Sequence, residues 1–214
     1  MSGYAGVVYL EPGDAVPPAY LIPVYELINS LDERSFVRRG VRRTGGDSLD
    51  TAERLADWLI GHGLVPPGTP VECDELVAAH ALRGALRASF TSGASFTSGA
   101  SLTSGASMAP GASMAPGADS TLADFPLHVV FIGGTPRLVP VATGVRGALG
   151  ALVARIARAE AAGVWKRMKM CAAVDCRWVF YDGSRSSGGR WCSMASCGNR
   201  DKTRKYRRRA RELS

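Results

Sequence analysis

With 214 residues the chain is long enough for one ordinary domain and a small appended module, and no apolar run in it approaches the roughly 20 residues that cross a bilayer. The net charge of +7 is uneven: from Val164 to Ser214 fourteen Lys and Arg face four Asp and Glu, leaving twelve against fifteen for the rest. A cationic module on a mildly acidic body implies a polyanionic partner, with nucleic acid far ahead of an anionic membrane.

The first twenty residues are rich in Gly and Pro, show no period and read as an arm or edge strand. Ile22, Tyr25, Leu27, Ile28 and Leu31 predict a short helix starting near Pro23. Arg34 to Gly46, with Arg38, Arg39, Arg42 and Arg43 and two adjacent glycines, reads as a solvated basic loop. Next, Leu49, Ala52, Leu55, Ala56, Leu59 and Ile60 form one helical stripe, with Asp50 and Glu53 in capping-box positions and Gly61 and Gly63 as the stop. His62 in that terminator reads as a partner of the helix dipole.

A further helix is predicted from Asp74 to about Ala88, carrying Arg83 and Arg87; the lone Cys73 before it and His80 within it read as structural. From Ser89 to Ala118 the sequence becomes tandem hexads (SFTSGA twice, SLTSGA, SMAPGA twice), too few to stack into a β-helix and rich in Gly, Ser, Ala and Pro. They read as a flexible insertion. Leu127 to Ile132 and Arg137 to Val141 predict two strands joined across Gly133 to Pro136. A long helix through Val145, Leu149, Leu152, Val153 and Ile156 ends near Gly163 and leads, through the basic WKRMKM, into Cys171.

Four of the five cysteines, Cys171, Cys176, Cys192 and Cys197, follow the spacing C-x4-C, an insert, C-x4-C. Two close thiolate pairs suit one tetrahedral Zn²⁺, each pair spanning an edge. Two disulfides are the competing reading, and redox compartment decides between them. No basic residue precedes Arg34, so a secretory n-region is missing, and a cytoplasmic, reduced protein is expected. Four thiolates leave the metal no open position, and His62, His80 and His128 all lie outside the module. The ion is therefore expected to be structural and the protein not an enzyme.

Within the module, Trp178 to Tyr181 reads as a strand returning through Gly183, Gly188 and Gly189 to Arg190 and Trp191. Trp178, Phe180, Trp191 and Met194 read as its small core, and Met194 to about Glu212 as a terminal helix. The expected fold class is mainly α (α+β). A helical N-terminal domain with one β-hairpin (residues 1–163) is followed by a treble-clef-like four-cysteine zinc finger ending in a basic helix (residues 164–214).

On that helix Arg200, Arg204, Arg207 or Arg208, and Arg211 recur as one ridge, and Lys202, Lys205 and Arg209 as another. With Arg190 and Asn199 they are the candidate nucleic-acid contacts, because a helix fits the DNA major groove, where Arg reads guanine and Lys or Arg holds phosphate. DNA is the leading partner, RNA or a ribosome the alternative, and an enzyme sited in the N-terminal domain the least supported reading.

The run YDGSRSSGGRWCSMASCGNR followed by a basic tail resembles the CGNR zinc finger, named for the tetrapeptide at Cys197, Gly198, Asn199 and Arg200. Upstream, ELINSLDER (residues 26–34) is similar to the early motif of ABATE, a family of stress-induced transcription regulators. The resemblance implies the four cysteines as ligands and a DNA-binding regulator, nucleoid-associated, with an N-terminal sensing or oligomerising domain. A homodimer and an unidentified small-molecule effector are that domain's candidate partners. The hexads depart from the family pattern.

Overall fold

The computed structural model describes residues 15–38, 40–91 and 118–212; residues 1–14 of the expected arm and 92–117 of the expected insertion lie outside them. After a 3-10 turn at Ala19–Leu21, helix α1 (Ile22–Asn29) carries Pro23 in its first turn, where a missing N–H costs nothing. Strands β1 (Leu31–Asp32) and β4 (Gly46–Asp47) pair around a nested hairpin, β2 (Phe36–Arg38) and β3 (Val41–Arg43). The segment expected as a basic loop is therefore a hairpin, because Phe36, Val37 and Val41 give it strand character between the arginines.

Helix α2 (Ala52–Gly61) is capped by Thr51, whose side chain accepts from the Arg54 N–H at 3.3 Å, one residue beyond the expected Asp50 cap. Asp50 instead pairs with Arg54 at 2.7 Å. Helix α3 (Cys73–Thr91) runs three residues into the first hexad; Ser89 is buried and Phe90 stacks 5.5 Å from Trp165. Helix α4 (Ala118–Ala123) returns the chain onto α3, ahead of strands β5 (Leu127–Ile132) and β6 (Thr135–Pro140). Their turn is tighter than expected: Gly133 and Gly134 alone make it, both at positive φ (58° and 77°), as a two-residue hairpin requires. Helix α5 (Gly144–Ala161), strands β7 (Met168–Met170) and β8 (Val179–Tyr181) and helix α6 (Asn199–Glu212) complete the order.

The fold class is mainly α with small antiparallel pairs, and the single expected hairpin is joined by β1–β4, β2–β3 and β7–β8. No helix of the described residues is long and apolar enough to cross a membrane. Helices α1, α3 and α5 pack on one another with α2 against α3, burying Leu27, Ile28, Leu55, Leu59, Leu82, Leu86, Leu149 and Leu152 completely. Each such side chain contributes about 1.5–3 kcal/mol. The same core includes Trp165, Met168 and Val179, so apolar packing runs straight through residue 163 into the cysteine module.

A buried polar network ties that core to the strands. Arg83 and Arg87, one turn apart on α3, are both 5 % exposed. Arg83 donates to both Asp47 oxygens at 2.6 Å and to Ser30 Oγ at 2.8 Å. Arg87 donates to the Ile28 carbonyl, satisfying a carbonyl in the last turn of α1, and pairs with Glu33. His62 and His80 are structural: His62 Nε2 lies 2.7 Å from Glu26 and His80 Nε2 lies 2.7 Å from the Leu49 carbonyl.

Asn29 reaches across 150 residues: its Nδ2 donates to the Val179 carbonyl at 2.8 Å while its Oδ1 accepts from the Val179 N–H at 2.9 Å. One side chain thus acts as a strand edge for β8. Asn29→Leu strands both backbone groups in an apolar site and is expected to cost about 2–4 kcal/mol of unfolding free energy. Urea denaturation of the zinc-loaded chain checks this.

Candidate metal centre and basic groove

Strand β7 delivers Cys171, and a turn closed by the Cys176 N–H on the Ala173 carbonyl (2.9 Å) brings Cys176 back beside it. The Cys171 N–H then bonds the Trp178 carbonyl at 2.9 Å, which starts β8 in antiparallel pairing with β7. The partner of β8 therefore precedes the knuckle and is not the Arg190–Trp191 segment expected from the sequence. That segment instead meets the knuckle through a hydrogen bond from the Ala172 N–H to the Arg190 carbonyl at 2.9 Å. A π-turn at Met194–Gly198 carries Cys197 and runs directly into α6.

The loop between the two cysteine pairs is built around Asp182, which sequence reasoning passed over. Its carboxylate accepts from the Ser184 N–H (3.0 Å), the Gly189 N–H (2.7 Å) and the Lys169 ammonium (2.6 Å). Burial alone would raise its pKa; these donors outweigh it and hold the carboxyl well below the usual range. A Cβ at Gly189 would lie 2.9 Å from the Asp182 carboxylate, so only glycine lets the loop close.

The four Sγ atoms all lie within 4.8 Å of one another, with Cys176 and Cys197 each 3.6 Å from Cys192. Zn–S bonds of about 2.3 Å set tetrahedral edges of about 3.8 Å, so the cluster can hold one zinc ion. Crowding alone sets the thiols against each other. Hydrogen bonds from Cys176, then Cys192 and Cys197, push Cys171 down, while the same crowding pushes Cys192 up. A divalent ion removes the conflict by favouring all four thiolates. Around the cysteines pack Trp178, Trp191 and Phe36 of β2. Phe180 and Met194, expected in this core, are not in it; Met194 is 55 % exposed and lies against Gly198, where a Cβ would meet its Sδ at 2.7 Å.

Arg200 joins these parts. Its guanidinium lies 3.6 Å from the centre of the Phe36 ring, 3.1 Å from Asp175 Oδ1, 3.0 Å from Ser196 Oγ and 3.4 Å from Cys197 Sγ. Burial would lower its pKa, but Asp175 and the Cys197 sulfur raise it. Only its Nε lacks an acceptor among the described residues. Arg200, expected as a nucleic-acid contact, links α6, the knuckle and the β2–β3 hairpin and also lines the groove beside α6. Asp175 and Phe36 gave no sequence signal, because their partners lie far away in the chain.

The remaining cations stay outward. A groove of about 640 Å³ runs between α6 and the hairpin, lined by Val37 and by Asn199, Arg200, Thr203, Arg204, Arg207, Arg208 and Arg211. This is the first ridge foreseen in the sequence. Arg42 stands opposite Val37 in the hairpin register and shares its face. Arg204 shares Asp175 at 3.3 Å, Lys205 pairs with Asp201 at 3.0 Å and Arg208 with Glu212 at 3.7 Å. Lys202, Arg207, Arg209 and Arg211 make no ion pair among the described residues, and the exposed Arg190 lies 5.4 Å over the Trp191 ring.

Asp182→Asn is expected to lower stability by about 2 kcal/mol at neutral pH. Because the native carboxyl titrates below its unfolded value, that contribution is full above pH about 4 and fades as pH falls through the lowered pKa. The loss should therefore shrink on acidification, as denaturation at several pH values will show. Arg200→Gln should keep one zinc per chain yet accelerate hydrogen exchange in residues 36–43, read by metal analysis and exchange mass spectrometry.

Comparison with curated proteins gives no match to the chain. Family profiles match twice: the CGNR zinc finger over residues 167–210, and ABATE, described as Putative stress-induced transcription regulator, over residues 22–175. The two matches overlap over residues 167–175, where β7 and Cys171 join the helical core. With its N-terminal helices inside one match and its four-cysteine centre inside the other, the chain belongs to the ABATE family and carries a CGNR zinc finger.

Proposed function

We propose that this protein is a DNA-binding transcription regulator that grips the duplex with α6 and the β2–β3 hairpin. The observation that carries the reading is that α6, 14 residues long, has no buried residue at all. Beyond the contacts of Arg200, a short helix of this composition gains little from packing, and its Arg200, Arg204 and Arg208 repel at four-residue spacing. A polyanion laid along the groove supplies the missing countercharge. At 1.5 Å per residue the helix spans about 21 Å, and its diameter suits the major groove.

The zinc centre supports this role mechanically: four thiolates fill its tetrahedron, leaving no position for a reacting water. Its ion anchors the first turn of α6, and Arg200 fixes the hairpin beside it. Surface pairs such as Lys205–Asp201 and Arg208–Glu212 are worth about 1 kcal/mol or less and can be exchanged for phosphates.

Titration of the zinc-loaded chain on duplex DNA at several salt concentrations tests the reading. With four to seven phosphates engaged, log K should fall against log salt with a slope of about −4 to −6. Arg207→Gln with Arg211→Gln should flatten the slope by about 2, zinc content unchanged. An unaltered slope would remove the groove from the interface, and equal binding of structured RNA would remove the preference for DNA.

A further inference from the structure

A pocket of about 580 Å³ opens among Tyr20, Ile22 and Pro23 at the start of α1, His62 after α2, and Arg155 and Arg158 on α5. We infer that it binds a small organic oxyanion, a carboxylate or phosphate group held between the guanidinium groups of Arg155 and Arg158.

Among the described residues, other sheltered arginines have acceptors: Arg167 donates to the Asp182 and Ser184 carbonyls, and three more face carboxylates. Arg83 meets Asp47, Arg87 meets Glu33 and Arg200 meets Asp175. Arg155 is half-buried and has neither an ion pair nor a hydrogen bond among the described residues. Its desolvation is uncompensated, and burial accordingly pushes its pKa down. Arg158 likewise has no carboxylate partner among the described residues; its guanidinium rests 4.4 Å from the centre of the Tyr20 ring, at the same pocket. The acid beside the pocket, Glu26, is engaged by His62 at 2.7 Å and Trp58 at 3.2 Å and forms no ion pair with either arginine. Two unmatched cations in a concave site of ligand size, with Ala19, Ile22 and Pro23 as apolar wall, specify an anionic head on a small apolar body.

Thermal unfolding of the full zinc-loaded chain tests this with inorganic phosphate and with acetate, each titrated at constant ionic strength. Wild type, Arg155→Gln, Arg158→Gln and an Arg207→Gln control for anions taken up by α6 are compared, so general salt stabilisation cancels. At least one anion should raise the melting temperature saturably in wild type and in the control. Half-saturation should move about tenfold higher in Arg155→Gln and Arg158→Gln, the loss of one charge-assisted hydrogen bond. A response to acetate alone assigns a carboxylate and to phosphate alone a phosphate ester. Without anion Arg155→Gln should melt no lower than wild type, and Arg158, more exposed, gives a second variant whose folding is not in question. Arginine variants responding like wild type to both anions would overturn the inference. DNA titration is not involved, so failure here leaves the groove reading standing.

Discussion

The four sulfurs are the constraint on which the rest of the C-terminal structure depends. The segment from Cys171 onward contributes few fully buried side chains: Val179 joins the main cluster, and the local one buries Ala173 and cysteines with Trp178 and Trp191 partly covered against them. Without an ion, the turn at residues 173–176, the loop closed by Asp182 and the π-turn at Met194–Gly198 would be held by isolated hydrogen bonds. One zinc held by the four cysteines would join the two cysteine-bearing turns and close the loop between them, stabilising a module with little apolar burial.

That direction is also set from outside the module. Asn29 completes the edge of β8, Tyr25 OH accepts from Trp178 Nε1 at 3.2 Å, and Arg34 lies 4.0 Å over the Trp178 ring after being fixed by Asp32. Residues 25–36 thus form a bracket between the helical core and the metal centre. Within ELINSLDER, Asn29 and Ser30 are buried polar groups with specific partners, so replacing either would leave buried groups unpaired. The bracket also explains why the main core continues past residue 163.

Much of this was legible in the sequence because it is local. Helical periodicity placed α1, α2, α3 and α5, the Gly-Gly pair placed the β5–β6 turn, and cysteine spacing placed the metal site. What escaped were interactions between residues distant in the chain. Arg83 and Arg87 look like the solvated face of an amphipathic helix, and nothing near them announces Asp47 or Glu33. Arg38 to Arg43 look like a loop because charge masks the alternation that builds β2–β3. Arg200 was read with its neighbours on a cationic ridge, though its environment is set by Asp175 and Phe36. Within one basic run, burial separates structural arginines from free ones, and burial is a property of the fold.

The charges of the metal centre and the helix belong together. Zinc with four thiolates carries a net charge of about −2. Bound through Cys197, it would lie just before α6, near the partial positive charge of the helix dipole. Arg200, 3.4 Å from Cys197 Sγ, adds a full charge at the same place. The anionic centre thereby stabilises the first turn of a helix that has no packed face of its own, while Asp175 and Asp201 draw Arg204 and Lys205 toward that end. Positive charge farther along, at Arg207, Arg209 and Arg211, is left without a counterion among the described residues. The helix is consequently polarised, with paired cations at its anchored end and mostly unpaired ones where it projects.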